Sequence, residues 1–233
     1  SFEMPDFTAQ VDAVGTIRLL EAIRAAKIDT KFYQASTSEL YGKVQEIPQT
    51  ENTPFYPRSP YAVAKLYAYW IVRNYREAYG LFASNGILFN HESPRRGSNF
   101  VTSKVIKTAV EIKKGITEKL VMGNLDSYRD WGHSKDYVRA MHLILNHSIA
   151  DDFVVATGHT RSVRDLVDLS FKTLGMNYSD YVVQDKKCMR PEELPYLKGD
   201  STKIRTTLKW QPEISFESMI EEMTSFWFDK IYS

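Results

Sequence analysis

The run Lys31-Phe-Tyr-Gln-Ala-Ser-Thr37, followed by a helix with both ends marked in the sequence, constrains this chain more than any other feature. Ser59-Pro60 reads as an N-cap with proline at the first helical position, and Gly80 supplies the C-terminal stop. A second strand-like run, Phe82-Ala-Ser-Asn-Gly-Ile-Leu-Phe-Asn90, comes directly after. Further on, the spacing predicts helices over about 100–114, 134–147, 162–174 and 216–230, and strands at 120–123, 153–157 and 181–184. Before the first strand, residues 6 to 26 carry Val11, Val14, Ile17, Leu20 and Ile23 at helical spacing. Strands alternating with helices give an α/β fold on a parallel sheet.

The 233 residues suffice for one domain, or a large domain with a small lobe, and 43% hydrophobic content supplies a core. A net charge of +1 gives no electrostatic case for nucleic acid or an anionic membrane as partner. One cysteine, Cys188, excludes an internal disulfide and fits a reducing, cytoplasmic setting. No apolar run approaches the roughly twenty residues of a membrane span. The five histidines show no zinc-like spacing, apart from His142 and His147 on one helix, and no metal site is expected.

The chemistry concentrates in Thr37-Ser38-Glu39 and Tyr61-Ala-Val-Ala-Lys65. Tyr61 and Lys65 are four residues apart and share a helix face. An ammonium beside a phenol lowers its pKa, so Tyr61 is expected to take the proton of a sugar hydroxyl as hydride leaves. Alone, Tyr-x-x-x-Lys is also what an exposed helix pair looks like. Its place is more telling: polar groups at a strand's C-terminal end, facing a helix N-terminus, lie where open α/β sheets hold ligands.

Four segments carry a family resemblance. Gln34-Ala-Ser-Thr-Ser-Glu-Leu-Tyr-Gly42, Ser59-Pro-Tyr-Ala-Val-Ala-Lys65, Asn90-His-Glu-Ser-Pro-Arg-Arg-Gly97 and Arg129-Asp-Trp-Gly-His-Ser-Lys-Asp-Tyr137 resemble the signatures of GDP-mannose 4,6-dehydratases, which are extended short-chain dehydrogenases/reductases. The resemblance implies the C-terminal part of a Rossmann-like domain, residues 1–90 and 134–158, plus a smaller mixed α/β lobe for GDP-sugar, residues 91–133 and 159–233. It implies NADP as cofactor, GDP-mannose as substrate, and a homo-oligomer, dimer or tetramer, for the full-length protein. Thr37, Glu39, Tyr61 and Lys65 are then catalytic, and Lys65, His91 and Arg96 contact the cofactor. Asn90, Lys104, Arg129, Arg190 and Glu193 take the substrate. In the family, the loop of Arg96 crosses to a neighbouring subunit.

Glu39 is the most discriminating residue. Oxidation at C4 acidifies the C5 proton, and a carboxylate can remove it and return it to the departing C6 hydroxyl. Epimerases with the same Tyr/Lys pair eliminate nothing and lack such a carboxylate.

The sequence also departs from the family. No Gly-x-Gly-x-x-Gly or Gly-x-x-Gly-x-x-Gly occurs, so the chain reads as the C-terminal two-thirds of a longer protein, with an unpaired edge expected at 31–37. Phe7 replaces a cofactor-touching tyrosine, and Ser103 stands where arginine is usual. Trp210, Trp227 and Phe228 read as packing for the smaller lobe. Two rival readings stay open: a non-catalytic remnant that binds GDP-sugar, and a dehydratase or epimerase for another nucleotide sugar.

Overall fold

The computed structural model describes residues 1–188 and 196–232. The chain opens with α1 (Pro5–Ala9), a π turn (Gln10–Val14) and α2 (Gly15–Ala26), which together fill the stretch expected as one helix. The structure corrects one detail of that expectation. Val11 is exposed, whereas Leu20 is fully buried against Val72 and Tyr75, because three-residue spacing drifts around a helix and the π turn adds to the drift.

Next come β1 (Phe32–Thr37), α3 (Pro60–Tyr79) and β2 (Ala83–Leu88). After β3 (Asn90–Glu92) follow α4 (Val101–Lys113), β4 (Leu120–Met122), β5 (Tyr128–His133) and α5 (Ser134–Asn146). The chain continues through β6 (Asp152–Val155), β7 (Thr160–Ser162), α6 (Val163–Thr173), β8 (Val182–Gln184), α7 (Thr202–Leu208) and α8 (Phe216–Tyr232). The strands β5 and β7 and the helix α7 lie where no element was expected.

The main sheet is parallel, in the order β1-β2-β6. Among the described residues the outer edge of β1 has no strand partner. Its faces alternate as a two-residue period requires. Ile87 and Val154 join Leu40, Tyr41, Tyr69 and Phe89 on one side. Leu88, Phe153 and Val155 meet Tyr137, Ile144 and Ile204 on the other. Gly86 leaves room for Tyr33, whose hydroxyl would stand 2.1 Å from a Cβ added there.

Trp210, expected in the smaller lobe, belongs instead to the layer of Tyr137 and Phe153, and its Nε1 donates to the Asp136 carbonyl at 2.8 Å. Trp227 does pack in the other cluster, with Val105, Ile106, Leu166, Phe171 and Met223 from α4, α6 and α8. Each such fully buried side chain contributes about 1.5–3 kcal/mol. Two small sheets flank this cluster: β3-β5-β7, with β3 parallel and β7 antiparallel to β5, and the parallel pair β4-β8. No helix among the described residues is long and apolar enough to cross a membrane.

Candidate active site

The C-terminal end of β1 meets the N-terminal end of α3. Ser59 caps α3 by accepting the Ala62 N–H at 3.1 Å, which fixes the first turn and Tyr61 with it. At the strand end, Thr37 is extended and caps the short 3-10 turn Ser38–Leu40. Its Oγ1 accepts the Glu39 N–H at 3.2 Å, which leaves its own hydroxyl proton to donate. The Thr37 side chain and the Glu39 charge both act on the Tyr61 phenol, Thr37 favouring its ionised form and Glu39 opposing it. The structure therefore brings Thr37, Glu39 and Tyr61 into one cluster.

Lys65 lies one turn further along α3. Its Nζ is 5.8 Å from the Tyr61 ring centroid. It donates to the Ala35 carbonyl at 3.3 Å and stands 3.5 Å from Asp12 Oδ1. Burial pushes the Tyr61 phenol above its ordinary value, and the charges of Asp12 and Glu39 push the same way. The Thr37 hydrogen bond and the Arg96 charge oppose them without prevailing. The net direction is upward, opposite to the expected lowering, and the Lys65 ammonium faces Asp12 and the Ala35 carbonyl.

His91 and Arg96 come from β3 and the loop after it. The His91 ring stacks on Tyr137, with centroids 4.8 Å apart and planes at 20°. Its Nδ1 is 2.9 Å from the Phe89 carbonyl, which can only accept, so Nδ1 carries the proton and Nε2 is the acceptor. Burial holds this imidazole below its usual pKa, and the Arg96 charge adds to the effect. His91 is therefore neutral near pH 7. Arg96 Nε lies 3.0 Å from Glu92 Oε2, and its guanidinium covers the Phe100 ring at 3.5 Å. Glu92 is itself buried, and Thr102 Oγ1 donates to it at 2.6 Å.

The residues expected to take the substrate are spread more widely. Asn90 begins β3, opposite Trp131 of β5. Lys104 is exposed on α4 and donates to the Val121 carbonyl at 2.8 Å. Arg129 lies on β5 opposite Arg161 of β7 and donates to the Tyr128 carbonyl at 2.8 Å. Arg190 and Glu193 lie outside the described residues. Phe7 is exposed, and Ser103 is fully buried on α4.

Asp130, beside Arg129, is a buried carboxylate saturated with donors. It accepts from Thr157 N at 2.9 Å, Thr157 Oγ1 at 2.6 Å and Gly158 N at 2.8 Å, so β5 is pinned to the loop that leaves β6. Sequence reasoning missed Asp12, Glu92 and Asp130. Glu92 and Asp130 lie inside the signature segments without a role assigned to them there, while Asp12 and Asp130 are defined by partners from distant segments.

A family model described as GDP-mannose 4,6 dehydratase matches residues 1–223. The chain is 54% identical to the GDP-mannose 4,6 dehydratase of Homo sapiens over 96% of its length and 65% of that protein. It is 52% identical to the GDP-mannose 4,6-dehydratase of Vibrio cholerae, over 96% of this chain and 68% of that one. It thus spans about two thirds of the length of these relatives. Among solved structures, RMD from Pseudomonas aeruginosa complexed with NADPH superposes with a TM-score of 0.91 at 27% identity, over 98% of this chain and 77% of that one. With a family model matched across nearly all of its residues and a relative at 54% identity, this chain belongs to the GDP-mannose 4,6-dehydratase family.

Proposed function

We propose that the protein dehydrates GDP-mannose to GDP-4-keto-6-deoxymannose. The observation that carries this reading is the cluster of Thr37, Glu39 and Tyr61 at the carboxyl end of β1. The relatives named for this reaction, at 54% and 52% identity, support the same substrate.

Each side chain has a distinct task. Tyr61, in its ionised form, takes the C4 hydroxyl proton and becomes the neutral phenol, with Thr37 donating to the phenolate before the transfer. Glu39 then removes the C5 proton and delivers it to the C6 hydroxyl, which leaves as water. One carboxylate serves both transfers because C5 and C6 are adjacent. An epimerase has no such step, so Glu39 favours dehydration over that rival. The fold neighbours include a UDP-glucose 4-epimerase at 24% identity, a likeness of fold alone.

NADP fits the residues present at its reacting end. Lys65 and Arg96 stand there, each beside a carboxylate, and His91 offers a ring held by Phe89 and Tyr137. NADP, when bound there, would supply the hydride acceptor for C4 and the hydride donor for C6. On the substrate side, Asn90, Lys104 and Arg129, with Arg190 and Glu193, are assigned to GDP-mannose. Guanidinium forks suit the diphosphate oxygens.

We assign the cofactor to the body formed by residues 1–90 and 134–158, with α7 and Trp210 packed beneath it. The GDP-sugar goes to the lobe around α4, α6 and α8. The full-length protein is read as a homo-oligomer, dimer or tetramer. Exposed Val63, Tyr67 and Trp70, one stripe along α3, support that reading, as do Phe7 and Val11 beside them. The free, exposed thiol of Cys188 suits a cytoplasmic protein.

The test is turnover by the full-length protein with GDP-mannose and NADP but no added oxidant. The product should be lighter than substrate by one water, with no net change in reduced cofactor. A product of unchanged mass, epimerised at C4, would refute the assignment.

A further inference from the structure

Asp130 takes no part in the proton transfers proposed above, yet it sits where body and lobe join. The chain crosses between them after residues 90, 133 and 158. Pairing of β3 with β5 holds the first two crossings together. Asp130, fully buried on β5, ties the second to the third. One of its oxygens accepts the Thr157 N–H at 2.9 Å and the Thr157 hydroxyl at 2.6 Å. The other accepts the Gly158 N–H at 2.8 Å. Two glycines permit this approach. A Cβ on Gly132 would stand 2.9 Å from Thr157 Cγ2 and 2.5 Å from Tyr137 Cε2. Gly158 turns the chain at φ 82°, in the region that favours glycine. The place is also telling. Val155 at the end of β6 is level with Leu88 of β2, and Leu88 with Thr37 of β1, so Thr157 and Gly158 lie just beyond the reactive end of the sheet.

We propose that Asp130 is a positioning residue for the substrate: it locks the strand of Arg129 to the reactive end of the sheet, and so sets the reach from the diphosphate to Tyr61 and Glu39. Arg129 precedes Asp130 on β5 and projects from the opposite face, so one residue of the pair holds the frame while the other meets the ligand. GDP needs only the lobe and NADP only the body, whereas the reaction needs the two in register. Loosening the joint therefore spares each half and impairs their combination. A misplacement of about 1 Å can cost about 10²-fold in rate.

The experiment uses the full-length protein and Asp130→Asn. The amide keeps the shape of the carboxylate, but its Nδ2 hydrogens must face an N–H of Thr157 or Gly158. In the variant, kcat with GDP-mannose should fall about tenfold to a hundredfold. The dissociation constants of GDP and of NADP, measured separately by calorimetry, should stay within about threefold of native. Hydrogen exchange at the Thr157 and Gly158 amides should quicken about tenfold, while α3 and α4 exchange at native rates. Thr157→Val, which deletes the hydroxyl donor, should show a smaller loss of kcat that Thr157→Ser avoids, and this pair decides the matter if Asp130→Asn does not fold. Native kcat in Asp130→Asn overturns the proposal, and so does a loss of kcat matched by an equal loss of GDP affinity. Equal kcat in the two Thr157 variants overturns it too. Only the kinetic arm rests on the proposed function. If the wild type does not turn over GDP-mannose, that function falls and the exchange arm judges the joint: faster exchange confined to residues 157–158 upholds it, and unchanged exchange overturns it.

Discussion

The two ends of the parallel sheet are both charged, and they are built on opposite plans. At the strand starts, Asp152 is saturated. Arg76 grips it with two nitrogens at 2.7 and 3.0 Å, Asn85 donates at 2.8 Å and Tyr69 at 3.3 Å. At the strand ends, Tyr61 stands among Asp12, Glu39 and Arg96, charges of both signs that push its phenol in opposite directions. The first arrangement is a closed hydrogen-bond network, which fixes geometry and has nothing left to offer a ligand. The second keeps opposed charges near one titrating group, as proton transfer requires. The sheet is stapled at one end and reactive at the other, in line with the rule that ligands bind beyond the carboxyl ends of parallel strands.

Breaking the staple should give the largest effect on stability. Arg76→Met leaves Asp152 buried and unpaired, which costs about 3–5 kcal/mol. Chemical denaturation of the full-length protein should register that loss, while kcat per folded molecule stays near native. A variant of native stability would mean that the two ends do not differ in the way described.

At the reactive side the expected effects fall on ligands. Arg129 is assigned to the diphosphate, and a charge-assisted contact contributes roughly 1.5–3 kcal/mol. Arg129→Ala should therefore raise KM for GDP-mannose about tenfold or more, with a smaller change in kcat and NADP affinity nearly unchanged. Loss of NADP binding with KM intact would move Arg129 to the cofactor side. The smallest effect concerns the junction that aims Tyr61. Ser59→Ala removes the cap of α3 and should cost about 1 kcal/mol in a thermal melt. A cost of zero would show that packing alone sets the first turn.

The same contrast explains what could be read from the sequence. β1, α3 and β2 were legible because their apolar periods and caps are local, from Ser59-Pro60 to Gly80. Thr37, Glu39 and Tyr61 were legible because their motifs place them at element ends. β5 was not, since Tyr128-Arg-Asp-Trp-Gly-His133 reads as a polar loop. Its polar residues are buried on partners far along the chain, Asp130 on Thr157 and His133 on Glu222. Asp12 was hidden in the same way, because its meaning depends on a π turn and on a lysine of another helix. Periodicity predicts which face is buried, and it says nothing about which buried charge finds which partner. Trp210 shows the limit from the apolar side: its bulk announced burial but not which layer would receive it.

The central claim is that Glu39 carries the proton across C5 and C6, and one measurement tests it directly. Full-length wild type and Glu39→Gln are incubated with GDP-mannose and NADP in deuterated water, and deuterium at C5 is followed by NMR. The wild type should release water and incorporate deuterium at C5. The variant keeps the shape of the side chain but cannot accept the proton. Elimination should fall by about 10²–10⁴-fold, with C5 wash-in lost and reduced cofactor accumulating as C4 oxidation continues. Native turnover and native C5 exchange in Glu39→Gln would contradict the account and remove Glu39 from the chemistry.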